Sequence, residues 1–222
     1  MRTIITHYMP RCTVHASFFA LTRAYNQKKA DALGWGFVAD SEQRVPNENP
    51  WRERAAIIAS VVAGLAVGDE VLWVDGDCLI VGDAIGDIFN EIANADYGMI
   101  KSDGIWNAGV IAMRVSPQVR TLWVEMRDHK HNNEDRVDEV VSAWPTPDKV
   151  CETWDANECA SCPWEPSARG PLCGSHKVRL VEIDRKWNSL PDEVDARTQI
   201  IGFHHNDAFT KLRLIMKILE AR

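Results

Sequence analysis

Asp75-Gly76-Asp77 is the part of this sequence best equipped to do chemistry. Two carboxylates separated by one residue can both reach one hard cation, or one can bind the metal while the other binds a sugar hydroxyl. Gly76 between them leaves the backbone free to turn and lets a ligand approach closely. Oxygen donors suit Mg²⁺ or Mn²⁺, which keep positions open for phosphate oxygens and water. A nucleotide-sugar donor needs such a site, because its diphosphate must be held and must leave with negative charge, which a divalent cation neutralises. An exposed acidic turn is the plain alternative, so the elements around the pair carry the weight.

The run just before it, Glu70 to Val74, is short and apolar, bounded by Gly68-Asp69 on one side and the acidic pair on the other. That is how a strand buried on both faces of a parallel sheet reads. In open α/β sheets ligands collect at the carboxyl ends of the strands, which is where Asp75 and Asp77 fall. The rest of the chain alternates in the same manner. Strands are expected at Arg2–Tyr8, Phe37–Ala39, Tyr97–Ile100, Val110–Arg114, Lys177–Ile183 and Thr198–Phe203. Helices are expected at Val14–Leu33, Trp51–Leu65, Ala84–Ala93, Pro117–Lys130, Glu134–Trp144 and Lys211–Glu220. This order predicts an α/β fold, an α/β/α sandwich around a mostly parallel sheet, with residues 1–222 as a single domain. The stretch 145–176 is rich in Pro, Gly, Ser and Cys and reads as an insert.

The composition bounds the function. The chain has 222 residues, 45% of them apolar and 26% charged, with a formal net charge of −7. An acidic balance of this kind argues against a general nucleic-acid-binding surface. No leader segment is visible, and no apolar run reaches the roughly 18–20 residues that span a bilayer. The expectation is a cytoplasmic protein without a transmembrane segment. Six cysteines are present. Cys12 and Cys78 lie in apolar segments and read as buried thiols, whereas Cys151, Cys159, Cys162 and Cys173 crowd into the insert. In a reducing compartment such a cluster suggests a structural Zn²⁺, with four free thiols as the alternative.

Glu70-Val71-Leu72-Trp73-Val74-Asp75-Gly76-Asp77-Cys78-Leu79-Ile80-Val81 resembles the metal-binding strand of GT-A glycosyltransferases. The resemblance is to the family of glycogenin and the bacterial lipopolysaccharide galactosyltransferases. Trp106-Asn107-Ala108-Gly109-Val110 is similar to the Phe-Asn-Ala/Ser-Gly-Val segment of that family. Arg185-Lys186-Trp187-Asn188 resembles its late Trp-Asn element. Ile200-Ile201-Gly202-Phe203-His204-His205 resembles the strand that delivers a histidine to the metal.

The resemblance implies a GT-A fold, a nucleotide-sugar donor (a UDP-sugar), retention of anomeric configuration and Mn²⁺ as the metal, with Mg²⁺ as its substitute. It leaves the acceptor open among saccharide, lipid, protein and modified nucleic-acid base. It makes Asp75 and Asp77 metal ligands and gives the third ligand to His204 or His205. It places Asn107 and Gly109 along the donor and acceptor cleft, and Lys211 against the diphosphate. Thr6, His7 and Tyr8 end the first strand, where a nucleobase and ribose would lie. Arg54, with Arg52, opens the helix before the metal strand, where related enzymes set a basic residue near the donor phosphates. Asp103 is placed to contact sugar hydroxyls. Glu134-Asp135 resembles an acidic/Gln pair that binds the transferred sugar, which makes Asp135 a candidate catalytic residue. For several of these the residues alone allow a plainer account: a surface strand end, solvated arginines, a chain turn, acids at a helix N-terminus.

Three other functions use similar parts. A haloacid-dehalogenase-like phosphatase also carries Asp-x-Asp after a buried strand, with the first Asp as nucleophile, but on its first strand. A nucleotidyltransferase needs carboxylates for two metals. A zinc-stabilised binding module would leave Asp75 and Asp77 without catalytic work. Only the glycosyltransferase reading gives roles to the Trp-Asn and His-His segments.

Overall fold

The computed structural model describes residues 1–8, 13–41, 50–102, 105–128, 180–204 and 207–220. The first strand, β1, spans Arg2–His7 and leads to helix α1, Thr13–Leu33; β2, Gly36–Asp40, follows and then α2, Pro50–Gly64. Strand β3 is Glu70–Val74 and β4 is Cys78–Ile80. A single 3₁₀ turn at Ile85–Asp87 runs into the short α3, Ile88–Glu91. Next come β5, Tyr97–Ser102, β6, Ile105–Arg114, and α4, Pro117–Asp128. The chain closes with β7, Leu180–Glu182, β8, Ile200–Gly202, and α5, Ala208–Glu220.

Among the described residues six strands form one sheet in the order β2-β1-β3-β6-β5-β7. Pairings β1–β2, β1–β3 and β5–β7 are parallel, while β6 runs antiparallel to both β3 and β5. The expected mostly parallel sheet is therefore a mixed one, with β6 the reversed strand. The reason lies in the connection: only residues 103–104 separate β5 from β6, and so short a link can join antiparallel neighbours but never parallel ones. Strand β6 also begins earlier than its apolar run. It takes in Asn107 to Gly109, with Asn107 paired to Ile100 of β5.

Both faces of the sheet are covered, as the continuous apolar runs require. Ile5, Val71, Trp73, Met99, Ile111 and Met113 pack on one side against Ala55, Ile58 and Val62 of α2 and Val119, Leu122 and Trp123 of α4. Ile4, Leu72, Val74, Val110 and Ala112 face the other side, against Ala30 of α1, Ile88 and Phe89 of α3, and Trp187. A third cluster joins Phe18 of α1, Leu79, Ile201, Phe203 and Ile215 of α5. Among the described residues no helix is long and apolar enough to cross a membrane. The Cys-rich insert, the helix expected at Glu134–Trp144 and Cys12 lie outside the described residues.

Strand β4 was not legible, being three residues long. It pairs antiparallel with β8, Cys78 opposite Gly202 and Ile80 opposite Ile200. Its other edge is satisfied by a side chain of α1. Asn26 donates Nδ2–H to the Cys78 carbonyl (3.0 Å) and accepts the Ile80 N–H at Oδ1 (2.9 Å). Asn26 is 1% exposed, so it replaces a missing strand. Asn26→Leu leaves a buried N–H and a buried C=O without partners, at about 1–3 kcal/mol each. A loss of about 2–6 kcal/mol in unfolding free energy is the expected result of a urea titration of this variant.

Candidate metal and donor site

The turn after β3 is closed by the Cys78 N–H donating to the Asp75 carbonyl (2.9 Å). Thr22 of α1 holds it from below, its hydroxyl donating to the Gly76 carbonyl (2.8 Å). Gly76 serves packing here. A Cβ on it would lie 2.8 Å from the His7 carbonyl oxygen, Tyr8 Cβ and a Phe19 ring carbon alike. The space expected to admit a ligand is thus filled by the end of β1 and by α1. Thr6, His7 and Tyr8 stand next to this turn, with Thr6 buried and the Tyr8 ring stacked on Phe19 (4.2 Å between centroids, 10° between planes).

The two acids diverge. Strand alternation puts Asp75 on the same side as Trp73, toward α2. There Arg54 Nη2 donates to both carboxylate oxygens (2.8 and 2.9 Å), and the Trp73 indole N–H donates to Oδ1 (2.8 Å). The Arg54 guanidinium also lies over the Trp73 ring, 5.4 Å from its centroid, a favourable cation–π position. The predicted basic residue at the head of α2 thus reaches the acidic pair directly. Of Arg52 only its place in α2 is described.

Asp77 points the other way, toward the end of β8 and the start of α5. Its Oδ1 meets His204 Nδ1 at 3.0 Å and its Oδ2 accepts from Lys211 Nζ at 2.7 Å. The β4–β8 pairing causes this. The Phe203 N–H donates to the Asp77 carbonyl (3.0 Å), which brings the next residue, His204, alongside the acid. Lys211 follows one turn into α5, and Asp207 receives its backbone N–H (2.9 Å). Burial alone would raise the Asp77 carboxyl, but the hydrogen bond and charge of His204, with Lys211 behind them, hold it well below the usual carboxylate range. Burial opposes charge on the His204 ring. The Cys78 sulfur and the Asp77 carboxylate outweigh it, and the ring keeps its proton well above the ordinary histidine value.

Asp77, Cys78 and His204 offer donor atoms that all lie within 4.8 Å of one another, a candidate metal group. The 3.0 Å between Asp77 Oδ1 and His204 Nδ1 fits a divalent ion, since adjacent ligands about 2.1 Å from an octahedral centre stand about 3 Å apart. A carboxylate and an imidazole are both ligands for divalent ions. Cys78 fits less well. Burial pushes its thiol up to about 11, so it is a neutral S–H in neutral solution, 3.8 Å from the Gly109 carbonyl oxygen. The Asp75 oxygens are outside this group and are engaged by Arg54 and Trp73.

Around His204 lies a polar cluster that sequence reading brought only partly to notice. Asn107 Oδ1 accepts the Gly109 N–H (2.8 Å) and Asn188 Nδ2–H (3.1 Å), and Asn188 touches His204 Nε2 in turn. Asn188 sits in the late Trp-Asn segment, and Trp73 stands two residues before Asp75 on one face of a strand. Both positions were visible, but neither had an assigned role. Gly109 also holds the turn through its carbonyl, which accepts the Asp75 N–H (2.8 Å). Asp103, Asp135, His205, Cys151, Cys159, Cys162 and Cys173 lie outside the described residues.

No protein-family model matches the chain, and no curated protein sequence does. Solved structures do. A glycosyltransferase involved in glycosylation of the major capsid of PBCV-1 is similar over 97% of this chain and 98% of that one, with a TM-score of 0.62 at 13% identity. An active-site mutant of LgtC is similar over 97% of this chain and 95% of that one, at 11% identity and a TM-score of 0.48. For the glycosyltransferase GlyE of Streptococcus pneumoniae TIGR4 the shares are 96% and 60%, at 10% identity and a TM-score of 0.46. At such identities the likeness is one of fold, and it is carried by the first of the three: the chain has a mixed α/β fold of the GT-A glycosyltransferase kind.

Proposed function

We propose that the chain is a metal-dependent glycosyltransferase that takes a sugar from a nucleotide-diphosphate sugar, a UDP-sugar by the resemblance of its motifs, and passes it to an acceptor with retention. The observation that carries this reading is the convergence of Asp77, His204 and Lys211 at the carboxyl end of β3. An anion, an imidazole and a cation meet there within hydrogen-bonding distance. Asp77 and His204 would hold the ion, and a bound Mn²⁺ supplies positive charge to the departing diphosphate. Lys211 adds a second positive charge at the same place. Arg54 and Trp73 fix Asp75 beside this centre, where its carboxylate faces the ribose or the transferred sugar. Thr6, His7 and Tyr8 border the same turn and form the wall for the nucleoside. An aspartyl nucleophile of the phosphatase type is disfavoured by the engagement of Asp75, whose two oxygens are both bound by Arg54.

A thermal-shift screen of nucleotide-sugars with and without Mn²⁺ tests this. A donor present at about 100 times its Kd stabilises the fold by about 2.7 kcal/mol, which for a chain of this size is a rise of roughly 5–10 °C in Tm. The expected result is such a rise for a UDP-sugar only when Mn²⁺ is present. No response to any nucleotide-sugar, or the same response without metal, would sink the proposal.

A further inference from the structure

Asn188 is 5% exposed, and it belongs to none of the groups assigned above to donor or metal. Its surroundings fix which way its amide faces. The Gly109 N–H must donate to an oxygen, so the atom of Asn107 at 2.8 Å is Oδ1. The atom of Asn188 that meets this oxygen at 3.1 Å must then be a donor, Nδ2. That leaves Asn188 Oδ1, a buried acceptor that needs a proton. Within reach are His204 Nε2 at 3.2 Å, which also lies 3.1 Å from Asn188 Nδ2, and the weak donor Cys78 Sγ at 3.9 Å. An Nε2–H donor satisfies the oxygen, and the other ring nitrogen, Nδ1, then carries the proton that an ion would displace. Nδ1 is the atom 3.0 Å from Asp77.

We infer that Asn188 is a positioning residue for His204. Through the relay Gly109 N–H to Asn107 Oδ1, and Asn188 Nδ2–H to the same oxygen, it keeps the proton on Nε2 and turns Nδ1 toward the ion beside Asp77. The inference rests on the metal reading above and adds the residue that sets the ring's tautomer and plane. Partners of this sort raise the basicity of a ligating imidazole and commonly change metal affinity by 10–100-fold when removed.

The test measures Mn²⁺ binding by calorimetry, with no donor or acceptor present, in the wild-type chain and in His204→Ala, Asn188→Leu and Asn188→Asp. Circular dichroism checks that each variant is folded. Asn188→Leu, close in volume, is expected to lose at least about 10-fold in affinity. Asn188→Asp keeps an oxygen for Nε2–H but loses the donor to Asn107 Oδ1, and is expected to recover part of it. Histidine-labelled ¹⁵N NMR with ¹¹³Cd²⁺ reads the geometry directly: coupling to Nδ1 and a proton retained on Nε2 are expected. Unchanged affinity in a folded Asn188→Leu, or coupling to Nε2, overturns the inference alone. Full affinity in His204→Ala, or no ion uptake by the wild type, overturns the metal reading and the inference with it.

Discussion

Asp77→Asn is expected to remove metal-dependent sugar transfer, by at least about 10³-fold in kcat/KM, while the chain remains folded. The substitution keeps the side chain's shape and one oxygen, so it isolates charge. In the native site the carboxylate faces His204 and Lys211 at 3.0 and 2.7 Å. Without its charge the site offers a cation a neutral amide next to an ammonium, and two positive groups are left facing each other. Stability should fall too, by about 1–3 kcal/mol, between the small value of an exposed pair and the larger value of a buried one. The folded-state carboxyl is held well below its usual range, so this part of the stability is present at neutral pH and is lost as the medium becomes strongly acidic. Donor turnover and urea titration on the same preparation separate the two effects. Activity in Asp77→Asn within about tenfold of wild type would remove Asp77 from the donor centre.

Asp75→Asn should behave differently. Asp75 is held by Arg54 and Trp73 and stands apart from the Asp77–Cys78–His204 group. At a spacing of one residue the sequence lets Asp75 and Asp77 share one ion, or divide an ion and a sugar hydroxyl between them. The fold separates them, because Asp75 still follows the alternation of β3 while Asp77 lies beyond the turn, where β4 and its partner β8 set its direction. Alternation could be read from Val71, Trp73 and Asp75. The β4–β8 pairing could not, since three residues carry no periodicity and the two strands lie far apart in the chain.

The same contrast holds elsewhere. The buried strand before the acidic pair, its parallel neighbour β1 and the long helix α1 were legible from apolar runs and helix formers. The reversal of β6 was not, because it follows from a two-residue connection and from a strand that extends through polar Asn107. The contact of Lys211 with Asp77 depends on where α5 starts relative to β8, and a spacing from the histidine does not determine that. His204 was indicated as one of two adjacent histidines; the Phe203 N–H bond to the Asp77 carbonyl is what brings its ring to the acid. Asn26, which completes β4 from a helix, gave no sequence signal at all, since an asparagine in a helix has no reason to be buried except the strand it serves.

Gly109→Ala carries the second large effect, and its direction follows from space alone. A Cβ on Gly109 would stand 2.5 Å from His204 Cε1, still nearer its Nε2, and 3.0 Å from Asn107 Oδ1. Across the ring, Gly202 has the same constraint, with a Cβ there placed 2.6 Å from Nε2 and overlapping Asn188 Oδ1. The imidazole therefore lies in a slot between two glycines on β6 and β8, closed at one edge by Asn188 and Cys78. A methyl group in the slot forces the ring away from Asn188 and out of line with Asp77. Because a side chain can move where a strand cannot, the stability cost stays near that of ordinary overpacking, about 1–3 kcal/mol. The larger effect falls on ion binding, with Mn²⁺ affinity expected to drop at least about 10-fold, as when a ligating histidine loses its supporting contacts. Gly202→Ala should do the same from the other wall, and the double variant should cost little more than either, since each displaces the same ring. Additive losses in the two single variants and the double would mean that the glycines serve β6 and β8 separately, and that the slot does not set the position of His204.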